Sequence, residues 1–159
     1  MSAALLWTWE LPQSLLGLGL CLLLRIGGRE RGAERRSDGR WLIESDDLGV
    51  SLGAYVYWPT SLRRHGPAAC RLTRAHELGH TVQSRRLGWL YLPTVGLASV
   101  SRVAYSAVFA WRTGRAWRGY YDAWPEDAAD RHGGVWRDQE GRRRPPTRGS
   151  PLDPGLDGG

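Results

Sequence analysis

The pentapeptide His76-Glu77-Leu78-Gly79-His80 sits inside Pro67-Ala-Ala-Cys-Arg-Leu-Thr-Arg-Ala-His-Glu-Leu-Gly-His-Thr-Val-Gln-Ser-Arg-Arg-Leu87, which Gly88 closes. Proline is tolerated where a helix begins, because its missing N–H is not needed there, and glycine is favoured where one ends. The bracket predicts one helix over 67–87, with Ala69, Leu72, His76, Gly79, His80, Gln83 and Leu87 along one side. At 3.6 residues per turn, imidazoles four apart lie one above the other, so both can reach a single Zn²⁺. Glu77 is rotated off that line, where a carboxylate can hold and deprotonate the attacking water rather than bind the metal.

A catalytic zinc takes three protein ligands and keeps a fourth position open, so another donor is needed from elsewhere in the chain. Glu126 is the candidate, in Glu126-Asp-Ala-Ala-Asp130, where Ala128 and Ala129 allow close helix approach. Asp130 lies one turn on and is placed to accept the free N–H of a ligand histidine. Asp127 would take the place of Glu126 if this helix were turned by about 100°. Tyr120, Tyr121 and His132 flank the stretch as candidate oxyanion donors, although aromatic packing and a surface histidine are the plainer reading of each. Gln83 and Ser84 read as helix-packing residues.

Outward from the motif, Trp41–Glu44 and Val50–Trp58 read as strands of a hairpin, separated by the turn-rich Ser45–Gly49. In the second strand Leu52, Ala54, Val56 and Trp58 alternate with Ser51, Gly53, Tyr55 and Tyr57. This strand is expected along the rim of the cleft, where an extended peptide can pair with it. Further helices are expected at 11–25, 97–112 (after a turn at Pro93) and 125–132, the last ended by Gly133-Gly134. Gly27–Arg40 reads as a linker, and from about Asp138 the composition collapses to Arg, Pro, Gly and Asp, which reads as a disordered tail containing Arg142–Arg144.

His76–His80 followed by Glu126-x-x-Ala129-Asp130 resembles the gluzincin pattern, in a form similar to that of membrane-linked zinc endopeptidases such as the CAAX prenyl endopeptidases. Over about residues 7 to 136 the chain also resembles a group of small bacterial membrane-linked proteins. The shared features are Leu11-Pro-Gln-x-Leu-Leu-Gly17, Ser51-Leu-Gly53, His76-Glu-x-Gly-His-x-x-Gln-Ser-x-x-Leu-Gly88 and Ala129-Asp-x-x-Gly-Gly-Val135. The gluzincin resemblance implies a zinc metallopeptidase with His76, His80 and Glu126 as ligands and Glu77 as general base, acting on a peptide or protein substrate.

The chain of 159 residues, 42% hydrophobic and 24% charged, suits one modest core. The expected class is α+β, a minimal zincin-like unit with a short antiparallel sheet beside the active helix and additional apolar helices. The expected division is an apolar helix at 1–26, the zincin-like domain at 27–137 and a tail at 138–159. All 22 basic residues are arginine and the net charge is +6, which permits anionic lipid or nucleic acid without demanding either. No nucleic-acid fold signature accompanies it, so no specific nucleic acid is expected. Cys21 and Cys70 are too few and too far apart for a disulfide framework. Leu11–Leu24 carries no charge but is short of the roughly 20 residues of a comfortable span. It reads as a membrane-inserted or interfacial helix, with a buried core helix as the rival. The arginines at 25, 29, 31, 35 and 36 would then keep the rest of the chain in the bacterial cytoplasm, at the inner face of the membrane. A non-catalytic protein with structural zinc, or one that simply coats a membrane surface, is the competing class.

Overall fold

The computed structural model describes residues 3–147. The protein is α+β, with a four-stranded mixed sheet covered by helices and a separate two-stranded ribbon. In chain order α1 spans Leu11–Ile26, β1 Glu30–Arg35, β2 Trp41–Ser45, β3 Val50–Leu52 and β4 Tyr55–Pro59. They are followed by α2 at Pro67–Leu87, α3 at Leu97–Thr113, α4 at Glu126–His132, β5 at Trp136–Arg137 and β6 at Arg143–Arg144.

The sheet is not the expected antiparallel hairpin. Its order is β1-β2-β4-β3, with β2 parallel to β4 from Trp41 opposite Tyr55 to Ser45 opposite Pro59. The run 50–58 folds back on itself at Gly53 (φ +56°), so β3 and β4 form the hairpin and β4 lies between β2 and β3. A second strand, β1, occupies the stretch read as a linker and pairs antiparallel with β2. Its Glu30-Arg-Gly-Ala-Glu-Arg35 is polar because β1 is an edge strand exposed along most of its length. Four of the arginines that suggested an inside-positive flank are engaged here: Arg25 with Glu30, Arg29 and Arg31 with Asp46, and Arg36 with Asp38.

Both faces of β4 are buried, and its alternation sorts two cores. Val56 and Trp58 pack with Leu42 and Cys70 on the α2 side, while Tyr55 and Tyr57 pack with Ile43, Cys21 and Leu24 on the α1 side. Ala54 joins the α1 side rather than following Val56, since the turn at Gly53 resets the alternation. Helix α1 is thus a half-buried layer: Gln13, Ser14, Gly17, Cys21 and Leu24 face inward, while Leu15, Leu16, Leu22 and Leu23 stay exposed. Cys21 and Cys70 are buried free thiols.

A buried polar joint ties the N-terminal segment to the rest. Arg40 and Glu10, both fully buried, pair at 2.9 Å. Arg40 also donates to the Gly53 carbonyl, and Ser84 of α2 donates to Glu10. Gln13 donates to Ser84 and to the Gly88 carbonyl, and the Ala54 N–H donates to Ser14. The short motifs at Leu11–Gly17, Ser51–Gly53 and Gln83–Gly88 meet at this one place.

Helix α2 begins at Pro67 and ends before Gly88 (φ +52°), as the sequence predicts. It lies between β4 and α4, which explains its small and polar composition. A Cβ at Gly79 would overlap the Ala129 carbonyl, and one at Gly133 would overlap that of Ala75, so α2 and α4 touch backbone to backbone. Beyond α2 a short 3₁₀ stretch (Gly88–Leu90) leads to one π turn at Leu92–Gly96 and then α3. Pro93 lacks the N–H that a regular α turn would use, and the extra residue in the turn absorbs it.

The ribbon of β5 and β6 replaces the start of the expected tail: residues 138–147 fold back against α4 and α2, and residues 148–159 lie outside the described residues.

Candidate metal centre

His76 and His80 leave the face of α2 that meets α4, and Glu126 comes from the first turn of α4. Pro125 caps α4 and the Gly79–Ala129 contact brings the two helices together. The Nε2 of His76 is 3.0 Å from Glu126 Oε2, and the Nε2 of His80 is 3.4 Å from the same oxygen. Three donors at about 2.0–2.1 Å from one tetrahedral ion would be roughly 3.3–3.4 Å apart, so both histidine–carboxylate separations are near those of a formed site, with all three donors within 4.8 Å of one another. The three side chains are buried, and this His-His-Glu group can hold a metal ion.

The other ring nitrogens are already committed. His76 Nδ1 bonds Asp130 Oδ1 at 2.8 Å, and His80 Nδ1 bonds Gln83 Oε1 at 2.7 Å. Gln83 in turn donates to the Pro125 carbonyl at 2.8 Å, at the entry of α4. Each imidazole therefore donates from Nδ1, which turns its Nε2 toward Glu126 as the nitrogen that could ligate. The second oxygen of Glu126 accepts from Ser99 of α3 at 2.6 Å. Asp130 is gripped by both arms of Arg143, at 2.6 and 2.5 Å, and the same guanidinium lies 3.4 Å over the ring of Tyr121. Arg143, read from the sequence as part of a solvated tail, is thus part of the site.

Glu77 is buried beside the histidines, and its Oε2 has no hydrogen-bond partner among the described residues. Its Oε1 faces Gly49, at the approach to β3, where a Cβ would come within 3.2 Å of it. The main chain that meets Glu77 is thus the approach to the edge strand β3, while β4 lies inside the sheet. The free edge of β3 is also partly used, since the Ser51 carbonyl accepts from Tyr91 at 3.1 Å.

Charge explains the direction of the pKa shifts. Burial opposes charge on His76, but Asp130 and Glu126 outweigh it and hold the imidazole up at about 9. Burial raises the carboxyl of Glu77. Burial likewise pushes Glu126 and Asp130 up, but hydrogen bonds from His76, with His80 and Ser99 for Glu126 and Arg143 for Asp130, bring both below the usual carboxylate range. Three carboxylates thus face a single guanidinium, and without a metal the cluster draws a proton onto His76. A divalent cation answers the same excess of negative charge.

The remaining expected residues separate. Tyr121 stands edge-on to His76 with ring centroids 5.3 Å apart, and burial raises its phenol. Tyr120 stacks behind Tyr121 and its ring lies under Arg102, one layer out. His132 sits beside Arg86 at 3.4 Å, at the far end of α4, and is not among the site residues. Asp127 points outward to Arg131 at 2.6 Å, which leaves Glu126 as the carboxylate of the cluster. Gln83, Ser99 and Arg143 are the residues that the sequence did not mark for this place. Only Gln83 had a signal, one turn beyond His80 on the ligand face.

No protein-family model, no curated protein and no solved structure matches this chain.

Proposed function

We propose that this chain is a zinc-dependent metallopeptidase. The observation that carries the reading is the pairing of three convergent donors with an unpartnered buried carboxylate: His76 Nε2, His80 Nε2 and Glu126 Oε2 meet, and Glu77 Oε2 lies beside them without a partner. Two nitrogens and one carboxylate oxygen suit zinc, and a three-ligand set leaves room for water or substrate. When bound, zinc supplies Lewis acidity that lowers the pKa of water and polarises a carbonyl.

The chain's own groups do the rest. Glu77 accepts the proton of the attacking water at Oε2 and returns it to the departing amine nitrogen. Asp130 and Gln83 keep the imidazoles in one tautomer and one orientation throughout. A purely structural zinc would call for a fourth protein ligand, and the unpaired Glu77 has no place in such a site.

The test is metal analysis together with turnover of a quenched-fluorescent peptide library. One zinc per chain and peptide cleavage are expected. Glu77→Gln should keep the metal while losing 10²–10⁴-fold in turnover, the usual worth of a positioned acid–base group. Absence of bound zinc, or undiminished cleavage by Glu77→Gln, overturns the reading.

A further inference from the structure

Helix α3 contributes Ser99 to the metal centre, yet none of its residues is fully buried. Together with the π turn before it, Leu92–Thr113 is an apolar segment of 22 residues. Its sides differ sharply. Val95, Ser99, Arg102, Ser106 and Phe109 fall on one stripe that is buried or half-buried against the domain. Leu97, Val100, Val103, Ala104, Val108 and Trp111 fall on the opposite stripe, all exposed, and Ser101, exposed at its margin, turns its hydroxyl back to the Leu97 carbonyl. Over the roughly 26 Å length of a 17-residue helix this is a continuous apolar surface.

We infer that this outer face of α3 docks in the plane of an anionic lipid bilayer, with its apolar stripe at the boundary between headgroups and acyl chains. A folded protein partner would demand hydrogen-bonding groups, at about one per 100–200 Å² of interface, and the stripe offers few, since the Ser101 hydroxyl at its margin is already bonded within the helix. Lipid demands none. Charge points the same way: between Leu78 and Tyr121 there is no Asp or Glu, whereas Arg112, Arg115 and Arg118 follow the stripe, exposed and without an ion-pair partner among the described residues. Exposed Trp89 precedes the segment and Trp111 closes it, the positions at which indole rings favour a membrane–water interface.

Arg102 does not oppose this placement, because it is turned inward. Its guanidinium donates to the carbonyls of Gly119 and Tyr120 and lies 5.0 Å over the ring of Trp117. The fastening also sets the helix parallel to the surface rather than across the bilayer. A spanning α3 would drag Glu126 and the turn at Gly119–Tyr120, bound to it through Ser99 and Arg102, into hydrocarbon.

Flotation of the purified full chain with vesicles of phosphatidylcholine alone, or with phosphatidylglycerol added, tests the inference. The chain is expected to float with the anionic vesicles, and high salt should weaken this. A Val100→Asp/Val108→Asp pair on the exposed stripe should stay at the bottom of the gradient with an unchanged Tm. Replacing Arg112, Arg115 and Arg118 with Gln should lower partition on the order of 100-fold, at about one kcal/mol per arginine near an anionic surface. Leu22→Asp, on the exposed face of α1, should float like the parent. The proposal is overturned if the parent chain does not float, if Leu22→Asp releases it as fully as the α3 pair, or if the α3 pair instead dissociates a dimer seen by light scattering without lipid. None of these readouts depends on metal or turnover, so the docking and the peptidase reading can fail separately.

Discussion

Two buried polar clusters share helix α2 and are built on opposite principles. Near its C-terminal end, Ser84 joins Glu10 and Arg40, one anion against one cation, and both oxygens of Glu10 are bonded. Two turns earlier, Glu77, Glu126 and Asp130 face Arg143 and two imidazoles, and Glu77 Oε2 is left without a hydrogen-bond partner among the described residues. The first cluster balances its own charge and holds three chain segments together. The second is held just as firmly from outside, by Gln83, Ser99 and Arg143, but is incomplete at its centre. The fold neutralises a buried carboxylate at one end of the helix and leaves an excess of them in the middle, where the His-His-Glu group can hold a metal ion.

The sharpest break between the two is His80→Ala. It should abolish stoichiometric zinc binding and turnover together, measured by elemental analysis and peptide cleavage, while leaving the joint intact. Next, Glu10→Ala takes from the buried Arg40 guanidinium its close carboxylate and leaves it only the Gly53 carbonyl and Asp38 at 3.8 Å, at a cost of about 3 kcal/mol in urea unfolding. Replacing Glu10 and Arg40 together by leucine and methionine should recover most of that loss, since an apolar pair of similar volume removes the uncompensated charge. If the joint also supplied the metal site, Glu10→Ala would lower the zinc stoichiometry of the folded fraction, and it should not.

Smaller effects sharpen the comparison at the outer layer of the metal centre. Asp130→Ala should weaken zinc affinity by about 10–100-fold in a chelator competition, as removal of a group that orients a ligand does. Arg143→Gln should move it the same way by less, because Asp130 keeps His76 but loses its own clamp. Equal affinity in parent and Asp130→Ala would show that His76 is positioned by its helix alone. Ser99→Ala removes one hydrogen bond to the second oxygen of Glu126 and leaves the three donors in place, so its effect should be the smallest, about two- to tenfold in affinity, the net worth of roughly 0.5–1.5 kcal/mol for one hydrogen bond.

The elements that were legible carry their signals locally. Pro67 and Gly88 bound α2, Pro125 and Gly133-Gly134 bound α4, and a four-residue spacing puts two histidines on one face whatever surrounds them. Glu126 and Asp130 were legible for the same reason, since their relation is also one helical turn. The sheet was not. Strand β1 is polar because it is an edge, and the reversal at Gly53 turns one apparent strand into two. Nothing local states that β2 pairs with β4 in parallel, because that pairing is decided by which apolar faces α1 and α2 can both cover.

The sequence by itself determined the helices, the spacing of the two histidines, the carboxylate next to them and the α+β class, all of which follow from periodicity and capping within single elements. Only the tertiary structure decided the strand order, the inward turn of Arg102, the bare outer face of α3 and the recruitment of Ser99 and Arg143. A serine in an apolar helix and an arginine among fifteen Arg-rich residues carry no mark of their partner. Their roles come from the backbone contact of α2 with α4 and the return of the β5–β6 ribbon, which bring groups 54 and 13 residues apart to one carboxylate.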